Sequence, residues 1–281
     1  MLLITGANGQ LGRCLRDILP RGEALYTDAA DLDITQEAAV LSYGQDKSFS
    51  AIINCAAYTN VDQAEAEPEP ARRINACGPA NLAKLAAAQN IPLIHLSTDY
   101  VFDGSVNTPL SETAPTRPLN VYGKTKQEGE QAVLQYARTA VVLRTAWLYS
   151  PYGKNFVKTI LKLGKERPEI NVVFDQIGTP TYAGHLAQAI IEILPQIKAG
   201  SKEIYHFTDD GVCSWYDLAW YVLKKADISC CVRPVLSSQY PTKAARPAFC
   251  VLNKSKITQT FGLSLKHWTQ GVESCLNKLT E

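Results

Sequence analysis

Several things are missing from this chain of 281 residues, and each absence narrows what it can be. There is no surplus of one charge: 28 Lys+Arg stand against 27 Asp+Glu, so the sequence carries no electrostatic footprint for nucleic acid or an anionic membrane surface. No apolar run reaches the roughly 18 residues of a membrane-spanning helix. The 8 cysteines (Cys14, Cys55, Cys77, Cys213, Cys230, Cys231, Cys250 and Cys275) include no Cys-x-x-Cys and have no histidine at ligand spacing. That pattern gives no metal site and no disulfide framework, and the cysteines read as small buried apolar residues. Repeats, low-complexity tracts and charge runs are absent too, so no flexible linker is expected. Met1 leads straight into a strand-like run, without the charged and apolar stretches of an export signal, which makes a soluble cytoplasmic protein the expectation. What remains is ordinary for a globular chain: 46% hydrophobic and 20% charged residues, in a length that suits one large α/β domain with a smaller lobe.

The first thirty residues carry the clearest pattern. Leu2-Leu3-Ile4-Thr5 is a short apolar strand, Gly6-Ala7-Asn8-Gly9-Gln10-Leu11-Gly12 a glycine-rich turn, and Arg13 to Leu19 a helix stopped by Pro20. Glycines three apart at Gly6, Gly9 and Gly12 let the backbone turn tightly and approach a pyrophosphate at a helix N-terminus. Ala24 to Asp28 reads as a second strand ending on an acid. A carboxylate there accepts hydrogen bonds from adenosine ribose hydroxyls and favours NADH, whereas the guanidinium of Arg13 suits the 2′-phosphate of NADPH. The two residues pull in opposite directions and leave the preference open. Asp31 to Thr35 is either a loop over the adenine or a solvated acidic loop.

Ala51 to Ala57 is a buried-strand pattern ending in small residues, which leaves room for a cofactor. After the polar loop Tyr58 to Asp62, an Ala-rich helix is expected from about 71 to 90, kinked at Pro79, with Asn75 as a structural hydrogen-bonding residue. Pro92 to Leu96 is the next strand, and it runs into Ser97-Thr98-Asp99-Tyr100-Val101-Phe102-Asp103-Gly104. In an open α/β sheet, ligands bind beyond the carboxyl ends of the strands, where these polar groups fall.

Three Tyr-x-x-x-Lys pairs occur: Tyr43/Lys47, Tyr122/Lys126 and Tyr221/Lys225. On a helix the two side chains project from one face, and an ammonium beside a phenol lowers its pKa and makes it a better proton donor. Context separates the three. Only Tyr122 and Lys126 begin a helix shortly after a strand that ends in a hydroxyl residue, so Thr98, Tyr122 and Lys126 are expected to converge, with the other pairs as decoys. Trp147 follows the strand Ala140 to Thr145 and, on position alone, reads as a core aromatic. Further on, helices are expected at about 155–165, 183–194, 215–226 and 268–279, and strands at 172–174 and 203–207.

With these residues assembled, the chain resembles the dTDP-4-dehydrorhamnose reductase family of the extended short-chain dehydrogenase/reductase superfamily. The resemblance rests on Asn54 to Asp62, Ser97 to Gly104, Pro118 to Lys126, Arg144-Thr145-Ala146-Trp147, Asp175 to Thr181, Tyr240-Pro241-Thr242 and Arg246-Pro247. It implies reduction of the 4-keto group of a dTDP-6-deoxy-4-hexulose by NADPH or NADH. Thr98, Tyr122 and Lys126 become the catalytic trio. Gly9, Gln10, Leu11, Asp28, Asp33, Ile34, Ala57, Tyr58, Thr59, Tyr122 and Lys126 would touch the nicotinamide cofactor. Thr98, Asp99 and Trp147 would meet the deoxyhexose, with Val61 and Tyr100 close by. Some members of the family dimerise around a magnesium ion held by glutamates; one of those positions is Cys14 here, a poor ligand for a hard cation.

The expected fold is therefore α/β, a doubly wound parallel Rossmann sheet (1–147 plus about 182–210) with a smaller substrate lobe (about 148–181 and 211–281). The expected partner is a small nucleotide sugar, with no nucleic acid and no membrane, and the expected state a monomer or weak homodimer. Two rivals stand beside this reading. One is another nucleotide-sugar epimerase or dehydratase of the same fold, although the dehydratases resemble one another in an acid where this chain has Tyr100. The other is a non-catalytic NADP-binding subunit similar to the regulatory subunit of methionine adenosyltransferase, against which an intact Thr98, Tyr122 and Lys126 argues.

Overall fold

A computed structural model describes residues 1–280. The chain opens with β1 (Leu2–Thr5), α1 (Gln10–Ile18), β2 (Ala24–Thr27), α2 (Glu37–Gln45) and β3 (Ala51–Asn54). It continues through α3 (Val61–Ala64), α4 (Pro68–Arg72), α5 (Gly78–Gln89), β4 (Pro92–Thr98), α6 (Val121–Tyr136) and β5 (Thr139–Thr145). After β6 (Leu148–Tyr149), α7 (Phe156–Glu166), β7 (Glu169–Val173), β8 (Ile177–Gly178), β9 (Thr181–Tyr182) and α8 (Ala183–Ile193), the chain returns as β10 (Lys202–His206). It closes with β11 (Cys213–Ser214), α9 (Trp215–Lys225), β12 (Cys231–Val235), α10 (Ser255–Phe261) and α11 (Trp268–Thr280).

Six strands form one sheet in the order β10-β5-β4-β3-β1-β2, with every neighbouring pair parallel. Successive strand side chains point to opposite faces, so the unbroken apolar runs feed two separate cores. Leu2, Ile4, Ile53, Ile94, Val141 and Leu143 meet α1 and α8. Leu3, Ile52, Leu93, Ala140 and Val142 meet Val40 of α2, Leu82 and Leu85 of α5, and Val133 of α6. The doubly wound Rossmann architecture is as the sequence suggested. Because β1 lies between β2 and β3, the strand order reverses beside it, and the crevice at the carboxyl ends of β1 and β3 is where such a sheet binds a ligand.

A third core belongs to the lobe, where Val157 and Ile160 of α7, Leu218 and Val222 of α9, Val272 of α11 and Ile170 of β7 close together. β7 pairs with β12 outside the main sheet, and it spans Glu169–Val173, not 172–174 as expected. Ile257 of α10 and Leu263 pack instead onto the main-sheet core. Two other local expectations change. The kink in the helix between 71 and 90 is a π segment, Arg73–Cys77, one turn before Pro79. Pro79 has no N–H for the carbonyl of Asn75 and its ring crowds that carbonyl, so the wider turn absorbs the misfit there. α1 starts at Gln10, which puts Gly12 inside the helix. No helix among the described residues is long and apolar enough to cross a membrane.

Candidate active site

A cleft of about 1010 Å³ runs along the carboxyl ends of β1, β3, β4 and β5 and reaches the lobe. At one end lies the glycine loop. Gly6 has φ +65°, and a Cβ there would stand 2.5 Å from the backbone nitrogen of Ala56, so only glycine lets β1 and β3 end this close together. Gly9 caps α1 without any side-chain hydrogen bond, which leaves the first-turn N–H groups of the helix free for a phosphate. Gly6, Gly9, Gln10 and Leu11 line the cleft. Gly12 does not: a Cβ there would lie 2.6 Å from Ala7 Cα, so this glycine serves helix-to-turn packing. This donor-rich, side-chain-free cradle fits a dinucleotide pyrophosphate.

Asp28 follows β2 and accepts the Asn8 N–H at 2.6 Å, which fixes its carboxylate beside the loop. Asp33 and Ile34 line the same wall, and Asp33 is held below the usual carboxylate range by the Thr35 side chain and N–H. Arg13 turns the other way, its guanidinium lying 5.6 Å from the Tyr152 ring centroid. The cation at this end is Arg73, in the π segment, whose Nη2 reaches Thr35 Oγ1 at 3.5 Å. Ala57 and Thr59 line the cleft after β3, but Tyr58 does not. Its hydroxyl donates to Glu67 at 2.7 Å, while Asn75 accepts its N–H at 2.8 Å and donates to its carbonyl at 3.1 Å. Tyr58 therefore shapes the loop through its backbone, and Asn75 has the structural role expected of it, extended by a bond to Thr125 Oγ1 at 3.1 Å.

Halfway along, β4 and α6 bring Thr98, Tyr122 and Lys126 to one place. α6 starts where Asn120 accepts the Gly123 N–H at 2.8 Å, an N-cap that sets the first turn carrying Tyr122. The Thr98 hydroxyl lies beside that of Tyr122 and favours its ionised form, but burial dominates and pushes the phenol up to about 12. Lys126 is only 2% exposed; burial brings its amine down to about 8, and Nζ donates to the Leu96 carbonyl. The expected lowering of the Tyr122 pKa by Lys126 does not appear, because the ammonium faces a strand carbonyl and burial sets the phenol instead. Below them Arg144 makes a bidentate pair with Glu130 at 2.8 and 2.7 Å, and Ser97 donates to Glu130 at 2.5 Å. This buried pair ties β4, β5 and α6 together and its carboxylate favours the charged form of Lys126.

At the lobe end, Val61, Asp99, Tyr100 and Trp147 all line the cleft. Trp147 has φ +48° and lies flat on Trp215. Trp215 was not recognisable in the sequence, since a helix-start tryptophan distant in the chain gives no sign of what it faces. Gln10 joins the two ends: its Oε1 accepts from Ser150 Oγ and Asn155 Nδ2, each at 3.0 Å, so the loop that turns at the glycines also anchors the lobe. Asn155 was detectable only as the N-cap of α7, whose Lys158 N–H it accepts at 3.1 Å. The other two Tyr-x-x-x-Lys pairs stand elsewhere. Lys47 bonds the Tyr43 carbonyl at 3.1 Å, and the Tyr221 hydroxyl donates to Glu273 at 2.8 Å; neither pair lines the cleft.

Comparison with known proteins agrees with this layout. The family model described as RmlD substrate binding domain matches residues 1–281. The chain is 42% identical to a dTDP-4-dehydrorhamnose reductase of Aggregatibacter actinomycetemcomitans, over 97% of each chain. It is 39% identical to a dTDP-4-keto-6-deoxy-D-glucose reductase of Streptomyces niveus, over 95% of this chain and 93% of that one. A solved dTDP-4-dehydrorhamnose reductase of Bacillus anthracis, in complex with NADP, superposes with a TM-score of 0.94 at 38% identity, covering 99% of this chain and 98% of the other.

Proposed function

Because the chain belongs to the dTDP-4-dehydrorhamnose reductase family, we propose that the cleft is its active site and that Thr98, Tyr122 and Lys126 carry the chemistry. The enzyme is an NAD(P)H-dependent oxidoreductase that reduces the 4-keto group of dTDP-4-dehydrorhamnose to give dTDP-L-rhamnose. The observation that supports the assignment of residues most strongly is the meeting of Thr98, Tyr122 and Lys126 between a glycine cradle at one end and the Trp147 wall at the other.

When bound, the reduced nicotinamide supplies a hydride to C4 of the sugar. Tyr122 gives its proton to the oxygen at that carbon, and Thr98 holds the same oxygen. Lys126, its ammonium on the Leu96 carbonyl, would hold the nicotinamide ribose. Gly6, Gly9, Gln10 and Leu11 receive the pyrophosphate, Asp28 the adenosine ribose, and Asp33, Ile34, Ala57 and Thr59 the walls around it. Trp147 gives the sugar an apolar face to lie on, with Val61, Asp99 and Tyr100 around it.

In this reading the lobe is about residues 148–181 and 211–280 without α10, and it holds the nucleotide sugar. The enzyme works in the cytoplasm, which supplies reduced nicotinamide, as a monomer or weak homodimer. The test is the fall in NAD(P)H absorbance when dTDP-4-dehydrorhamnose is added, beside dTDP-4-keto-6-deoxyglucose as the competing ketone. Turnover of neither would reject the reading.

A further inference from the structure

Reduction of a ketone consumes one proton for each hydride, so a buried Tyr122 that has given its proton away must be refilled before the next turnover. We propose that Asp99 returns this proton to Tyr122 through the hydroxyl of Thr98, in addition to any contact it makes with the sugar. The inference rests on the functional reading above. Thr98 Oγ1 and Asp99 Oδ1 are hydrogen-bonded at 3.0 Å, and the same Thr98 hydroxyl lies against Tyr122. Thr98 is fixed between them by the Tyr100 N–H, which it accepts at 3.2 Å. Asp99 is 2% exposed and lines the cleft, and its Oδ2 has no partner among the described residues. A buried polar atom without a partner is costly, which makes this an arrangement that needs a reason.

The transfer balances atom by atom. The Oδ1–H bond of Asp99 breaks as Thr98 Oγ gains that hydrogen, and the original Thr98 hydrogen passes to the phenolate oxygen of Tyr122. The Asp99 carboxylate takes a proton from cleft water at Oδ2, leaving hydroxide that the bulk solvent neutralises, and the carboxyl then turns about Cβ–Cγ to bring the new O–H to Thr98. A hydroxyl between a carboxyl and a phenolate allows this because it donates and accepts at once. Burial raises the Asp99 carboxyl to about 7, so it both gives up and regains a proton near neutral pH. The titratable groups that face it are Tyr100 beside it, Tyr122 on α6 and Cys250, whose thiol meets the Asp99 carbonyl at 3.6 Å; Arg246 reaches only as far as Tyr100. Burial pushes all three of those facing groups upward, so none of them titrates in the range where Asp99 does.

The test is stopped-flow oxidation of NADPH by the ketone, with a pH-indicator dye following proton uptake, in the wild type and in Asp99→Asn. Near-UV circular dichroism checks that the variant is folded. For the variant the relay predicts a burst of one NADPH oxidised per site, with proton uptake lagging behind it. A steady rate about tenfold or more below wild type follows, with a solvent deuterium isotope effect larger in that slow phase than in the burst. The wild type shows no burst, and its steady rate falls as pH rises through the Asp99 titration. Thr98→Val, which also loses the hydroxyl that holds the reacting oxygen, should slow the first turnover and slow the later ones further still, and Thr98→Ser should behave as the wild type, which keeps the test decisive if Asp99→Asn does not fold. Equal slowing of the first and later turnovers, or no slowing, would overturn the relay and leave Lys126 as the source of the proton. A wild type that oxidises no NADPH with any 4-keto sugar nucleotide would instead reject the functional reading on which the relay rests.

Discussion

The indole of Trp147 lies on that of Trp215 with ring centroids 3.6 Å apart and planes 11° from parallel. Gly178 packs against the edge of the indole that carries Nε1, Cε2 and Cζ2, since a Cβ there would stand 2.9 Å from the Trp147 ring. One wall of the sugar end is therefore held in place by residues far apart in sequence. Trp215→Leu and Gly178→Ala should raise the KM for the nucleotide sugar severalfold, about 1 kcal/mol of lost ring positioning, with kcat within a few-fold of wild type. Steady-state kinetics check this, and a fall in kcat at unchanged KM would place the stack outside the sugar site.

Cofactor preference should follow Asp28 and Arg73. Asp28 is fixed by the Asn8 N–H, whereas Arg73 is the cation that borders the same end of the cleft. We expect use of both NADH and NADPH with less than about a hundredfold preference, the few kcal/mol of one charged contact. Asp28→Ala should weaken NADH more than NADPH, and Arg73→Ala the reverse. Equal losses for both cofactors in either variant would remove that residue from the ribose end.

How much of this could be read beforehand differs from part to part. The six-stranded sheet followed from apolar runs separated by helical periods, because parallel strands buried on both faces leave that mark locally. The trio followed from chain order, with Thr98 ending one strand and Tyr122 starting the next helix. The electrostatics did not follow. Spacing placed Lys126 near Tyr122, but which way an ammonium points depends on the Leu96 carbonyl, a strand atom that no motif contains. Arg73 and Trp215 were also out of reach, since one enters the cleft through a π turn and the other from the far lobe. The packing demand on Gly12 was not legible either, because a glycine that a helix needs for packing looks the same in sequence as one that a phosphate needs.

Asp99 should give the protein a pH-dependent stability. Its carboxyl rises from 3.8 to about 7 on folding, so the folded state favours the neutral acid. The stabilisation is complete below the unfolded pKa and is lost as pH rises through the folded one. Asp99→Asn should therefore gain on the wild type between about pH 4 and 7 and hold that gain above it, on the order of a few kcal/mol at most. Urea unfolding across that range measures it. A difference independent of pH would mean that Asp99 does not titrate as its burial implies.

Magnesium should matter little. Cys14 is 3% exposed, and burial, aided by Asp17, pushes its thiol up to about 12, so it offers no thiolate and no hard oxygen. Among the described residues no three His, Cys, Asp or Glu side chains gather as a metal site. Light scattering with and without a chelator should give the same mass, and a chelator-driven loss of dimer would show that carboxylates of two chains share an ion.

The most direct test is the turnover of dTDP-4-dehydrorhamnose by Tyr122→Phe, which keeps the ring and its edge-on contact with Tyr100 at 5.9 Å but removes the transferable proton. The fold should survive and kcat should fall by about 10²–10⁴, the usual worth of a positioned general acid. Tyr43→Phe and Tyr221→Phe, measured alongside, should stay within a few-fold of wild type. A Tyr122→Phe enzyme that reduced the ketone at a near-normal rate would contradict the assignment of the proton donor and, with it, the role given to the Thr98, Tyr122 and Lys126 site.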